Sequence, residues 1–75
     1  MKSKETFRQQ LGRNLRRIRA GRKLTIEDLA LESGLAYSQI SRIELGKINT
    51  TAYTIHILSH ALKVDPSEFY RMDKP

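Results

Sequence analysis

The sequence predicts an all-α fold, a compact bundle of five helices around a central helix-turn-helix. Three observations lead to this prediction. Apolar residues recur at spacings of three and four, residues that cap or stop helices stand between these runs, and the connecting segments are short. We find no repeat, low-complexity tract or interdomain linker, so we expect residues 1–75 to form a single domain.

The composition narrows the classes of function. The chain has no cysteine, which excludes a disulfide framework and a thiolate zinc site. We expect a cytoplasmic protein without a membrane partner, because the sequence shows no signal peptide and no apolar run near the length of a span. The net charge of +6 predicts an acidic partner, with nucleic acid first. Residues 1–23 hold nine basic residues against one acidic residue, although a basic helix face is often only solvated.

The first predicted helix runs from about Glu5 to Ala20, and Gly21 is a plausible stop. Its core face consists of four apolar residues: Phe7, Leu11, Leu15 and Ile18. Arg19 lies at the edge of this face. Three further arginines are expected to point away from it: Arg13, Arg16 and Arg17.

The second predicted helix runs from about Ile26 to Ser33. Thr25 is its expected N-cap, and Asp28 stands three residues later as in a capping box. Gly34 suits the left-handed position that ends a helix. The inner face is formed by Ile26, Leu29 and Ala30, whereas Leu31 lies off that face.

The third predicted helix runs from about Tyr37 to Leu45 and is stopped by Gly46. Ile40 and Ile43 form its buried side, and Glu44 falls beside them. A carboxylate in that position calls for a partner, because an unpaired buried charge is costly.

The fourth predicted helix runs from about Thr51 to Leu62. Its core face is formed by Ile55, Leu58, Ser59 and Leu62. The fifth is short, with Asp65 as the cap, Pro66 at the first helical position and Phe69 as the core anchor.

Residues 26–45 have the spacing of a helix-turn-helix. The small Ala30 lies where two helices would cross closely, and Gly34 permits the sharp turn that follows. Leu35, Ile40 and Ile43 then close a small core. The second helix of such a unit can enter the DNA major groove, which is about 12 Å wide.

The segments LRRIRAGRK, LTIEDLALESGLAYSQISRIELGKINT and ALKVDPSEFY together resemble the Cro/CI-type (Xre-type) helix-turn-helix repressors. The resemblance implies a lambda-repressor-like fold with the third helix in the major groove. It also implies a sequence-specific transcriptional regulator, most simply a repressor, that binds double-stranded DNA at a near-palindromic operator as a homodimer.

The resemblance assigns DNA-contacting positions. Base-facing and flanking positions of the third helix correspond to Tyr37, Ser38, Gln39, Ser41 and Arg42. Phosphate-contacting positions correspond to Thr25, Lys47 and Asn49. The chemistry agrees, since arginine can donate two hydrogen bonds to guanine and glutamine can pair similarly with adenine. Most arginines of the first helix are expected to lie away from the DNA, because the family docks mainly through its second and third helices.

The family commonly pairs an arginine late in the first helix with a glutamate late in the third, and Arg19 and Glu44 match those positions. We therefore expect a partly buried ion pair that sets the tilt of the third helix. Three residues depart from the usual pattern. Ile26 replaces a frequent phosphate-binding glutamine, Leu45 a polar or basic residue, and Thr50 a proline.

Some apolar residues fall outside the predicted core. Ile57, Tyr70 and Met72 are expected to contribute to a homodimer, although they can instead pack locally. The rival function is a protein-interaction module, an adaptor or antitoxin-like protein, that retains the fold without binding DNA.

His56 and His60 have a four-residue spacing that can suit zinc, but the glutamate of HExxH and a third ligand are absent. The sequence also lacks a cysteine nucleophile, a phosphate-cradling glycine loop and a convincing acid–base pair. We therefore expect no enzyme activity, metal, cofactor or small-molecule ligand.

Overall fold

The computed structural model describes residues 4–71, with side chains from residue 6 onward. Over this range the chain forms four α-helices followed by a 3-10 helix, and no strand. The elements are α1 (Lys4–Gly21), α2 (Ile26–Ser33), α3 (Tyr37–Glu44), α4 (Ala52–Leu62) and the 3-10 helix (Pro66–Tyr70). The predicted all-α class and the order of elements are confirmed.

The fifth element is a 3-10 helix, and not the further α-helix of the predicted bundle. The Asp65 side chain caps it by accepting a hydrogen bond from the Ser67 N–H at 2.9 Å, and Pro66 follows the cap as predicted. A segment of five residues is long enough for the i→i+3 hydrogen bonds of a 3-10 helix. The Glu68 N–H donates such a bond to the Asp65 carbonyl at 3.0 Å. Phe69 belongs to this short helix, and its side chain is fully buried in the core.

The ends of α2 have the predicted structure. The Asp28 N–H donates to the Thr25 hydroxyl at 3.0 Å, and the Thr25 N–H donates to the Asp28 carboxylate at 2.9 Å. This reciprocal pair is a complete capping box. Gly34 follows the helix with φ of 77°, a left-handed conformation that directs the chain sharply into α3.

The core lies where the four α-helices and the 3-10 helix meet. α1 packs on α3 and the 3-10 helix, whereas α2 packs on α3 and α4. Ten apolar residues are buried: Leu11, Leu15, Ile18, Leu29, Ile40, Ile43, Ile55, Leu58, Leu62 and Phe69. The predicted core faces of α1 to α4 supply nine of these residues, so those predictions are confirmed except at one position of α1.

That exception is Phe7, which remains 39% exposed. It lies one turn before Leu11, where α1 has not yet met the core. Its ring instead stacks on Tyr70, with 6.5 Å between ring centroids and 21° between planes. The prediction of Phe7 as a core residue is wrong because the stripe of α1 extends beyond the elements that cover it.

Polar side chains of α1 fix the 3-10 helix to the bundle. The Asn14 amide donates to the backbone carbonyls of Phe69 at 2.9 Å and Arg71 at 2.6 Å. The Gln10 amide donates in turn to the Asn14 side-chain oxygen at 3.4 Å. Both α1 side chains are buried, so these bonds satisfy polar groups that water cannot reach.

Gly12 allows α1 to approach the end of α3. A Cβ atom at this position would lie 2.5 Å from the Glu44 carbonyl oxygen, and closer still to that of Ile43. Such distances are not tolerated, so this approach requires a residue without a side chain. The sequence predicted close helix crossing at Ala30, which the structure shows as half-buried against the core.

Candidate nucleic-acid interface

α3 divides into a buried apolar side and an accessible polar side. Ile40 and Ile43 are fully buried and hold the helix to the core. Of the predicted base-facing residues, Tyr37, Ser38 and Arg42 are exposed. Gln39 and Ser41 are half-buried at the edges of this surface. The polar side is thus presented by a helix whose other side cannot move without opening the core.

Arg42 is available for an external partner. Among the residues that the structure describes, none forms a hydrogen bond or an ion pair with its guanidinium. An arginine presents five N–H donors in a fixed planar arrangement, which suits a bidentate acceptor. Tyr37, one turn and a half earlier, is 54% exposed.

The predicted phosphate-contacting residues lie at two places beside α3. Thr25 caps α2, and its hydroxyl already accepts the Asp28 N–H. Lys47 and Asn49 are exposed in the segment between α3 and α4. Arg8 of α1 donates to the Gly46 carbonyl at 3.3 Å and so holds the start of this segment.

The segment between α3 and α4 also contains Thr50, one of the departures from the family pattern. Its hydroxyl oxygen is buried and has no hydrogen-bond partner among the described residues. A buried hydroxyl without a partner is destabilising, so threonine here is less favourable than a residue without that group.

An ion pair connects α1 to the end of α3. The Arg19 Nε donates to one Glu44 carboxylate oxygen at 2.6 Å, and Nη2 donates to the other at 3.0 Å. Only 14% of the Arg19 side chain and 6% of the Glu44 side chain are exposed. Hydrogen bonding to Glu44 is the main cause that raises the pKa of Arg19 above its usual value.

The same guanidinium also contacts the start of α2. Arg19 Nη1 donates to the Leu24 carbonyl at 2.7 Å, two residues before α2 begins. One side chain therefore binds both ends of the helix-turn-helix. This contact to Leu24 was not predicted, because no sequence pattern marks a backbone carbonyl as an acceptor.

A small concave surface lies beside the polar side of α3, between α1, α2 and α3. It is lined by Arg16, Arg19, Ile26, Ser41, Glu44 and Leu45. Leu45 is 57% exposed, and the apolar Ile26 is half-buried at the first position of α2. Two of the lining residues, Ile26 and Leu45, are apolar. Of the two lining arginines, Arg19 is paired with Glu44, whereas Arg16 forms no ion pair with a described carboxylate.

The predicted dimer residues lie on different elements. Ile57 is half-buried on α4, and Tyr70 is 45% exposed and stacked on Phe7. Met72 lies outside the described residues. The sequence analysis did not single out Tyr53 as an exposed aromatic residue, although it is 72% exposed near the start of α4.

Two other features bear on function. The rings of His56 and His60 lie on the surface with centroids 6.2 Å apart. Within residues 4–71, histidine and acidic side chains form no group of three or more that could hold a metal ion. None of the described helices has the length and apolar character required to cross a membrane.

Known proteins resemble this chain over the helices described above. Residues 15–69 match the HTH_3 helix-turn-helix family. A curated relative is the uncharacterized HTH-type transcriptional regulator RghRB of Bacillus subtilis (strain 168). It is 46% identical over 54 residues, which are 71% of this chain, and the chain spans 39% of the length of that relative.

Solved structures share the fold. The restriction-modification controller protein C.AhdI of Aeromonas hydrophila superposes with a TM-score of 0.82 and 33% identity, over 84% of this chain and 96% of its own. The clp gene regulator ClgR of Corynebacterium glutamicum gives a TM-score of 0.79 and 27% identity, over 84% of this chain and 67% of its own. The matched family region includes α2, the turn and α3 in full.

Proposed function

Since the chain belongs to the HTH_3 helix-turn-helix family, we propose that it is a transcriptional regulator that binds DNA in a sequence-specific manner. Membership confirms the resemblance to Xre-type proteins that the sequence suggested. The observation that carries the proposal is the accessible polar side of α3, with Arg42 free of described partners. A helix of this kind fits the major groove of B-DNA.

Base recognition is proposed for the exposed side of α3. Arg42 donates two hydrogen bonds to the O6 and N7 atoms of a guanine. Gln39 pairs with an adenine, and Ser38 lies one turn from Arg42 on the same side. Tyr37 places its ring on a thymine methyl group or its hydroxyl on a phosphate.

Phosphate contacts are proposed for two places, the segment after α3 and the start of α2. Lys47 and Asn49 are exposed after α3, and Thr25 stands at the start of α2. Contacts to phosphate position the protein on the duplex and carry no sequence information of their own. The proposed role of Arg19 and Glu44 is to fix the tilt at which α3 meets the bases.

We further propose that the regulator acts as a repressor and binds a near-palindromic operator as a homodimer. A two-fold dimer places two copies of α3 in successive major grooves, about 34–36 Å apart. Ile57 and Tyr70 supply apolar surface for such a contact. C.AhdI is a restriction-modification controller protein, and this supports a regulatory function for the chain.

The proposal is tested by a fluorescence-anisotropy titration on a labelled duplex of mixed sequence at two salt concentrations. Binding through phosphates releases counterions, and six to ten contacts lose about 10³–10⁵ in affinity between 50 and 200 mM salt. In vitro selection from a random duplex pool then gives the preferred sequence and its symmetry. Affinity at low salt that falls steeply with salt, together with a selected consensus, is the expected result.

A second candidate function is a protein-interaction module that keeps the fold without binding DNA. The specific observation in its favour is that two leucines of the helix-turn-helix region are exposed, Leu31 at 85% and Leu45 at 57%. Absence of binding to the mixed duplex at low salt would favour this candidate over the regulator.

A further inference from the structure

Arg16 occupies a particular side of α1, the one that faces α3. Gly12, one turn before it, lies against the backbone at the end of α3. Arg19, three residues after it, binds Glu44 of α3. Residues at spacings of three and four share one side of a helix, so Arg16 lies between these two contacts. It accordingly lines the concave surface together with Ser41 of α3 and Ile26 of α2.

The charges on this concave surface are unequal. Arg19 uses its donors on Glu44 and on the Leu24 carbonyl, and the Glu44 carboxylate neutralises it. Arg16 is exposed, and no described residue forms a hydrogen bond or an ion pair with its guanidinium. The unneutralised charge of the surface is therefore the charge of Arg16.

Arg13 and Arg17 of α1 line a second concave surface, which Arg16 also borders, but their guanidinium groups have partners of their own. Arg13 donates to the Gln10 side chain at 3.2 Å, and Arg17 donates to the Asn14 side chain at 3.5 Å. Gln10 and Asn14 belong to the side of α1 that binds the 3-10 helix. Arg13 and Arg17 thus differ from Arg16 in their hydrogen-bond partners, although all three carry the same charge and are exposed.

The concave surface borders the part of α3 that is proposed to enter the groove. Ser41 and Leu45 form its wall on α3, and Ile26 forms its wall at the first turn of α2. A helix in the major groove lies between two sugar–phosphate backbones, so the flank of α3 faces a strand and not the bases. A hydrogen bond between a guanidinium and a phosphate is charged on both sides and is therefore stronger than one between neutral groups.

We propose that Arg16 binds a DNA phosphate on this concave surface, with the Ser41 hydroxyl as a second donor to the same group. The inference rests on the proposed function and deepens it. It separates Arg16 from Arg13 and Arg17, which act on DNA through their long-range field alone. It also gives the start of α2 a cationic phosphate contact, where Ile26 supplies no polar side chain.

The test compares Arg16→Ala with Arg17→Ala, which removes the same charge from the same helix. Each variant and the wild type are titrated by fluorescence anisotropy on a labelled duplex of mixed sequence at several salt concentrations. Loss of one phosphate contact reduces the slope of log K against log salt by about 0.9 for each bound subunit. We expect that reduction for Arg16→Ala, an unchanged slope for Arg17→Ala, and a restored slope for Arg16→Lys.

Equal slopes for Arg16→Ala and Arg17→Ala would overturn the phosphate contact and leave the proposed function standing, since the wild type would still bind. A wild type that does not bind the duplex at low salt would overturn both. Thermal melting of each variant confirms that it is folded, which is expected because the Arg16 and Arg17 side chains are exposed.

Discussion

Arg42 and Lys47 are both cationic and exposed, but the proposed interface gives them different tasks. Arg42→Ala removes a bidentate base contact, so discrimination at one base position falls by about 1–3 kcal/mol. Lys47→Ala removes a phosphate contact, so affinity falls alike for all sequences and the salt slope decreases by about 1. In vitro selection with each variant separates the two effects. A consensus relaxed by Lys47→Ala and retained by Arg42→Ala would contradict the assignment.

The Arg19–Glu44 pair predicts a large effect on stability. Glu44→Ala leaves a buried guanidinium without its carboxylate, which we expect to lower the free energy of unfolding by about 3–5 kcal/mol. Glu44→Gln keeps an acceptor for one hydrogen bond and should lose less. Chemical denaturation measures both, with the exposed Glu27→Ala as a matched control. An unchanged melting temperature for Glu44→Ala would show that the pair does not stabilise the fold.

Single residues also show where sequence reasoning stops. The apolar stripe of α1 located Leu11, Leu15 and Ile18, because burial of a helix follows its period. The same stripe wrongly included Phe7, since period alone does not say where the covering elements end. Asn14 was missed for the opposite reason. A buried amide gives no periodic signal, and its acceptors lie 55 and 57 residues away in the sequence.

At the scale of elements, Gly12 decides how close α1 and α3 can come. Gly12→Ala places a methyl group against the α3 backbone, so α3 must shift and stability falls by about 1–3 kcal/mol or more. Gly21→Ala is the matched control, because nothing lies within 4 Å of a Cβ added there. It should be neutral or stabilise by up to about 1 kcal/mol.

Urea unfolding compares the two glycine variants, and anisotropy reports whether the displaced α3 still binds DNA. A Gly12→Ala variant as stable as Gly21→Ala would mean that the two helices are not as tightly apposed as the structure shows. The sequence contained Gly12 but gave no reason to single it out, since a mid-helix glycine has no partner visible in one dimension.

The helix caps predict a pH dependence. Hydrogen bonds from Thr25 hold the pKa of Asp28 below its usual value, and those from Ser67 do the same for the pKa of Asp65. A carboxyl whose folded-state pKa is lowered stabilises the fold above its unfolded-state value. That contribution disappears as the pH falls through the folded-state value.

Melting temperatures of the wild type and an Asp28→Asn/Asp65→Asn variant should therefore differ most above about pH 5 and converge towards about pH 2. Circular dichroism across this range provides the measurement. A difference that stays constant with pH would show that the caps act without their charge. Both caps were predictable from sequence, because capping residues lie within three positions of their partners.

At the scale of the whole molecule, the proposed homodimer can be tested through Ile57 of α4. If α4 contributes to the proposed dimer, Ile57→Asp shifts the protein from dimer to monomer. Leu31→Asp is the matched control, since Leu31 is an exposed apolar residue on α2. Sedimentation equilibrium at high micromolar concentration measures the difference. Only monomer for the wild type, with and without DNA, would contradict the dimer.

The distribution of charge along the chain was visible in the sequence, but the partner of each basic side chain was not. Residues 1–23 carry all of the excess positive charge, and among the arginines of α1 the sequence singled out only Arg19, at the edge of the apolar face. Packing distinguishes the others, because Arg13 and Arg17 donate to buried amide side chains whereas Arg16 does not. Such an assignment needs the third dimension, since it depends on which element covers each side of α1.

The buried bond between Arg19 and Glu44 has a consequence for how the molecule responds to ionic strength. Salt screens exposed charges strongly and buried pairs much less. Attraction to a polyanion comes from the exposed arginines and lysines and therefore weakens as salt rises. The orientation of α3 is held by a pair that is 14% and 6% exposed and therefore persists. The attraction to a polyanion and the orientation of α3 thus depend on different charges, so the proposed regulator should bind more weakly at high salt while α3 keeps its orientation.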